Sequence, residues 1–236
     1  GPAQAQSQPQ SQTSAQEPAG RDIWQEVDQS TLVQSASISA VTMGGVQPTH
    51  YRLFTADLAA LDAILASAPQ ESDASGTVNA AQAPTVLTLP MPQGSYQRFA
   101  IEQYNMLTPD FAAAHPELKT YRGRSLDDPA STVQVSRTPW GFHSMVLTGG
   151  QLAYIDPQAQ SNTYINYAAQ DLPTQFLSDE HIHFAPETAN QPTVSVATGD
   201  KLHVYRLAVA ATSEFSQEAG GQEAAQSKIV AFVNDM

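Results

Sequence analysis

The densest group of side chains able to hold a metal or move a proton lies in Ser178-Asp179-Glu180-His181-Ile182-His183-Phe184. Imidazoles and carboxylates are ligands of the kind zinc takes. On a strand, His181 and His183 would project to the same side and could share an ion with Asp179. The plainer account makes them exposed polar residues beside a buried Ile182. Asp127-Asp128-Pro129 could form a cation site or an acid/base pair; more simply it is a turn in which Asp128 caps local amides ahead of a proline. His143 alternates with Phe142 on an expected strand and has no partner nearby in sequence, which marks a structural histidine. Trp140, Phe142, Tyr154, Tyr164 and Tyr167 could line a ligand pocket, but packing in a strand core is the simpler role. No nucleophile-elbow motif appears, so no hydrolase triad is supported. The chain has no cysteine, which excludes thiol catalysis, thiolate metal sites and disulfides.

The elements that must position these residues are mostly strands. Residues 1–20 are rich in Gln, Ser and Pro with Glu17 as their only charge, and are expected to be a disordered tail. Residues 31–41 and His50 to Phe54 read as strands. Thr55 reads as a helix N-cap, with Asp57 in the first turn and Leu58, Leu61 and Leu65 along one face. A polar stretch continues to residue 83. From Thr85 the texture is β, with a hairpin turning at Pro92-Gln93-Gly94 and a short helix opening at Pro109. Strands then come over Leu118 to Arg122, Thr132 to Arg137, Trp140 to Leu147, Leu152 to Ile155 and Thr163 to Tyr167. Short strands at this spacing give an antiparallel sheet or sandwich over 21–167 with two short helices, an α+β, mostly β class. Residues 168–200 are irregular and read as a connecting segment.

The texture changes again over 201–236. Leu202 to Ala211 is nearly continuous in apolar residues, as in a strand buried on both faces. Thr212, Ser213 and Ser216 offer caps, and Ala225, Ile229, Phe232 and Val233 fall on one face of a helix. This is a β-α unit of a different, α/β kind of domain, which stops at Met236.

Bulk composition narrows the partners. The net charge is −13, and the ten basic residues are scattered apart from Lys119, Arg122, Arg124 and Arg137, so no nucleic-acid partner is expected. No stretch is apolar and long enough to span a bilayer, so no membrane partner is expected either. Gly1-Pro2 reads as the scar of a cleaved tag. The Gln/Ala/Ser-rich stretch after it resembles the segment that often sits just behind a secretory signal, which points to a secreted or periplasmic protein.

Several stretches, in order, resemble secreted bacterial metallopeptidases of the reprolysin-like metzincin group. His50-Tyr51-Arg52-Leu53-Phe54 with Asp57-Leu58-Ala59-Ala60-Leu61 resembles the Y-R-x-x-x-x-D-x-x-A-L opening of their pro-regions. Leu89-Pro90-Met91-Pro92-Gln93-Gly94 with Phe99 is similar to their L-P-x-P-x-G hairpin. Pro116-Glu117-Leu118-Lys119-Thr120-Tyr121, Asp127-Asp128-Pro129, Gly141-Phe142-His143-Ser144-Met145-Val146 and Tyr154-Ile155-Asp156-Pro157 resemble further segments. Tyr205 to Thr212 with Gly220-Gly221 is similar to the first strand and helix of the catalytic domain. The likeness spans residues 50–236, and its strength is in the order and number of segments.

The family's zinc motif, H-E-x-x-H-x-x-G-x-x-H, is absent, so this chain should not hydrolyse peptides and needs no cofactor of its own. The resemblance implies a pro-region that acts as intramolecular inhibitor and folding chaperone. Its partner would be the catalytic domain of the same precursor, which carries the zinc. Pro-segments of this group commonly run through the active-site cleft and can give zinc a ligand in place of the catalytic water. Without cysteine, the candidates for that ligand are Asp179, Glu180, His181 and His183. The alternative is a stand-alone secreted β-rich binding or adhesion module, which leaves the C-terminal β-α unit unexplained.

Overall fold

A computed structural model describes residues 20–28, 42, 44–71, 84–158, 162–173 and 206–236. The expected tail over 1–20 apart from Gly20, the strand over 31–41 and the Asp179–His183 group lie outside the described residues.

Nine strands make one antiparallel sheet: β1 (Trp24–Val27), β2 (Arg52–Ala56), β3 (Thr85–Pro90), β4 (Tyr96–Tyr104), β5 (Lys119–Ser125), β6 (Thr132–Thr138), β7 (Gly141–Thr148), β8 (Gln151–Pro157) and β9 (Thr163–Ala168). Their spatial order is β1-β2-β9-β8-β7-β6-β5-β4-β3. Strands β3 to β9 thus form a meander, and β2 and β1 return to pair beyond β9. Of the sheet and the sandwich, the single sheet is what forms. It curls until its two edges meet. The indole of Trp24 on β1 donates to the Thr88 carbonyl on β3 at 2.9 Å, and Arg52 donates to the Met91 carbonyl at 3.0 Å.

Curling gives the sheet an inner face that excludes water. Phe54, Leu87, Leu89, Phe99, Ile101, Val135 and Phe142 are fully buried there, and Trp24 packs against Phe142 and Tyr164 with ring centroids 5.6 and 5.5 Å away. Helix α1 (Leu58–Ala66) lies against this face through Leu61 and Leu65, as their spacing requires. Its N-cap is Asp57, whose side chain accepts from the Ala60 amide at 3.1 Å; Thr55 instead belongs to β2. The carboxylate wins the cap because it is the better acceptor for the first-turn amides. Helix α2 (Pro109–Ala114) starts at its proline.

One glycine is fixed by packing. A Cβ on Gly123 would sit 2.6 Å from the Ala100 carbonyl oxygen and 2.9 Å from Ile101. Gly123→Ala is expected to destabilise the sheet by about 1–3 kcal/mol, the usual cost of overpacking. Urea unfolding with an unchanged midpoint would show that β4 and β5 can part there without loss.

The C-terminal region departs from the sequence reading. Residues 206–211 form no strand and are exposed, including Leu207 and Val209. A strand buried on both faces needs a neighbour to share its main-chain hydrogen bonds, and among the described residues none lies beside it. Helix α3 (Ser213–Ala219) is capped by the Thr212 hydroxyl, and helix α4 (Gln222–Asp235) packs on β6. The buried side of α4 is Ala225, Ser227, Val230, Ala231 and Asn234, while Phe232 is exposed. Of the expected stripe Ala225, Ile229, Phe232 and Val233, Ala225 is buried and Phe232 is exposed, so the face that meets the sheet is rotated from the one the spacing gives. Lastly, Ala168 still belongs to β9, and Leu172 packs against Leu53, Ile165 and Tyr167 on the outer face, so the sheet unit extends past Tyr167.

Candidate functional site

Along β6 the outer face of the sheet carries polar side chains, in contrast to the apolar cluster around Leu53 and Ile165 on β2 and β9. Strand alternation puts Gln134, Ser136 and Thr138 of β6 on that face, with Ser136 paired to His143 of β7. The β7–β8 hairpin turns through Gly149-Gly150, both at positive φ (56° and 76°), a two-residue turn that fixes its register. Thr148 pairs with Gln151 and Ser144 with Ile155, so the next rung sets Asp156 opposite His143.

His143 is 1% exposed and held from two sides. Its Nδ1 lies 2.6 Å from Asp156 Oδ1, and its Nε2 lies 2.8 Å from Asp235 Oδ2 at the end of α4. Carboxylates only accept, so the ring donates from both nitrogens and is an imidazolium. Burial alone would lower its pKa. The charge of Asp235 and the hydrogen bonds and charge of both carboxylates outweigh that and raise it to about 10. Tyr167 of β9 donates to the second oxygen of Asp156 at 2.8 Å, and burial beside that carboxylate pushes the Tyr167 hydroxyl well above its ordinary range. Tyr154 stacks near the imidazole and is pushed up to about 12, by burial first and then by the two aspartates. Lys228 of α4 lies over the Trp140 ring, which flanks the same histidine. A second contact ties α4 to β4: the Tyr104 hydroxyl donates to Asn234 Oδ1.

The rest of the α4 contact is poorly matched. Gln134 Oε1, Ser136 Oγ and Thr138 Oγ1 on β6, and Ser227 Oγ, Asn234 Nδ2 and Asp235 Oδ1 on α4, are buried without a hydrogen-bond partner. Each such group costs about 1–3 kcal/mol relative to its hydrated state. Asp235 and Asn234, with a longer contact from Gln226 to His115, thus hold a helix whose buried side is only partly apolar.

This geometry suits holding rather than catalysis. Both His143 nitrogens are engaged and shielded, so the ring has no lone pair for a proton or a metal. Among the described residues, no three metal-binding side chains are grouped to hold an ion. No described helix is long and apolar enough to cross a membrane. Comparison of the chain with protein-family models, with curated proteins and with solved structures finds no match.

The other candidates fall elsewhere. Asp128 accepts from the Ala130 amide and the Ser131 hydroxyl, at 3.1 and 2.6 Å, and so caps its turn. Asp127 takes a forked contact from Arg98 at 2.6 and 3.0 Å, which holds its carboxyl below the usual range. Arg122 pairs with Glu102 and Glu71, and Arg137 with Asp62. Phe142 and Tyr164 belong to the inner core, whereas Trp140, Tyr154 and Tyr167 surround His143. Sequence reading missed Asp156 and Asp235 as partners of His143. The Gly149-Gly150 turn was the available signal for Asp156; nothing local pointed to Asp235.

Proposed function

We propose that this chain is the pro-region of a secreted or periplasmic zinc metallopeptidase, joined to the first residues of the catalytic domain it inhibits and helps to fold. One observation supports this most. The segment that resembles a peptidase's first strand and helix sits on the sheet through a partly polar, incompletely matched contact, in which Ala225, Val230 and Ala231 are buried beside unpartnered polar groups. Its apolar residues Leu207, Val209 and Phe232 meanwhile point away from the sheet unit. Contacts between separable domains have that polar character, whereas a single folding core does not. A pro-region stabilises the folded peptidase by mass action, and tethering makes modest affinity sufficient. Asp179, Glu180, His181 and His183 remain the proposed zinc-directed ligands, able to displace the nucleophilic water.

The test is inhibition in trans of the mature catalytic domain encoded downstream in the same precursor. The parent chain should inhibit, and alanine at the true ligand among the four should raise the inhibition constant while circular dichroism stays unchanged. No inhibition by the parent chain would remove the pro-region reading. The purified chain alone should leave casein intact.

A binding module is the second reading. It draws on an open cleft of about 440 Å³ bordered by Met91, Pro92, Thr148, Leu152, Gln170 and Asp171, a size that suits a small ligand. Saturable binding of an oligosaccharide that is lost in Asp171→Ala would favour it.

A further inference from the structure

We propose that the outer face around His143 is a socket that takes and releases α4 as a unit, with Asp235 as the key that holds the helix in place. The helix would leave while the curled sheet stays folded. The sense of this as a release step for a peptidase domain rests on the pro-region reading; the docking itself does not.

Three observations carry it. First, α4 contributes nothing to the inner core, which is closed by α1 and by contact between the sheet's own edges. Second, the carboxylate-to-imidazole hold and the hydrogen bond from Tyr104 lie in the last turn of α4, at Asp235 and Asn234, while the contacts higher up, Gln226 with His115 at 3.4 Å and Lys228 over Trp140, are long. Third, six buried polar atoms along the contact lack partners. Opening hydrates all six, which offsets part of the cost of separation. The imidazolium also stays satisfied on one side after release, because Asp156 belongs to the sheet and keeps its own bond from Tyr167.

The socket selects for an anion at the helix end. The titratable and charged groups around the imidazole are Asp156 and Tyr154 on β8, Tyr167 on β9, and Asp235 and Lys228 on α4; its β6 neighbour is the neutral Ser136. Removal of the His143 proton would leave two carboxylates facing one neutral ring with a single N–H to share. The key would then be repelled, since Asp156 cannot move away and α4 can.

Hydrogen exchange with mass spectrometry on the full chain tests this. In Asp235→Asn, amides from Ala225 to the end of α4 should exchange about ten- to a hundredfold faster, as expected for loss of a charge-assisted bond. Those of β4 to β9 should keep their parent protection. Tyr104→Phe should act in the same direction, and parent chain at about pH 10.5, corrected for intrinsic exchange, should behave like Asp235→Asn. Faster exchange confined to the last turn would be end fraying and would overturn the proposal. So would unchanged α4 exchange, or helix and strands losing protection together. Because no peptidase enters this experiment, a chain that releases α4 but inhibits nothing would remove the pro-region reading and leave the socket standing.

Discussion

His143→Gln should lower the stability of the chain by about 3–5 kcal/mol, the range found when one partner of a buried ion pair is removed. The residue is 1% exposed, and its loss leaves Asp156 and Asp235 facing each other without a cation. Glutamine can donate to one carboxylate but brings no charge. The two tryptophans separate the consequences. Trp140 lies beside the socket, whereas Trp24 lies in the inner core. Single-tryptophan versions in urea should show the Trp140 signal failing before the Trp24 signal, because release of α4 hydrates Asp235 and relieves part of the strain. The pair His143→Gln with Asp156→Asn should recover part of the loss, since the second change removes an unpaired buried charge. A His143→Gln chain as stable as the parent would mean that the two carboxylates do not depend on the ring.

The second large effect is alkaline destabilisation. His143 has an ordinary value of 6.5 and a folded value raised to about 10. A raised pKa means that the folded state binds the proton more tightly. Its contribution is therefore complete below pH 6.5, declines from there as pH rises and is gone above about pH 10. Over that window the chain should lose several kcal/mol of stability, at roughly 1.4 kcal/mol per pH unit for one proton. Tyr104 and Tyr154, pushed up to about 12, have the same sign at higher pH, so their loss begins where the histidine's ends. Phenolate absorbance distinguishes the two. Urea midpoints that fall before tyrosine ionises identify the histidine, and His143→Gln should flatten that slope. Stability that is constant from neutral pH to pH 10 would contradict a protonated ring.

Strands β2 to β9 were legible because each carries its own evidence, whereas β1, four residues at Trp24–Val27, is too short to show an alternation and was not read as a strand. Alternation in Thr132 to Thr138 and Gly141 to Thr148, with turn residues between them, marks strands whatever lies beyond, and short turns force antiparallel neighbours. The leucines of α1 announced their buried face for the same local reason. The C-terminal helix was legible as a helix and not as a contact. Its expected apolar side, Ala225, Ile229, Phe232 and Val233, invited a hydrophobic contact, but the surface it meets carries Gln134, Ser136, Thr138 and His143, and only Ala225 of the four is buried. The side that turned inward is a mixed one, Ala225, Val230 and Ala231 with Ser227 and Asn234, which the spacing of the larger apolar residues does not single out. The expected strand from Leu202 to Ala211 failed over its described part, residues 206–211, because continuous apolarity states a demand for neighbours without supplying them. Of the site, His143 and Asp156 were within reach through the register of a two-glycine hairpin. Asp235, 92 residues from its histidine, was not.

The most direct measurement of the clamp is a titration of the His143 ring by nuclear magnetic resonance, on chain labelled with ¹⁵N in its histidines and assigned with His143→Gln. The expected result is that both ring nitrogens carry protons at about pH 8, well above the ordinary histidine range, show slowly exchanging N–H signals, and titrate near the raised value of about 10. In Asp235→Asn that titration should move down toward the ordinary range while the ring stays bonded to Asp156. A ring already neutral at about pH 8, with one nitrogen unprotonated, would contradict the imidazolium clamp and with it the hold of the sheet on α4.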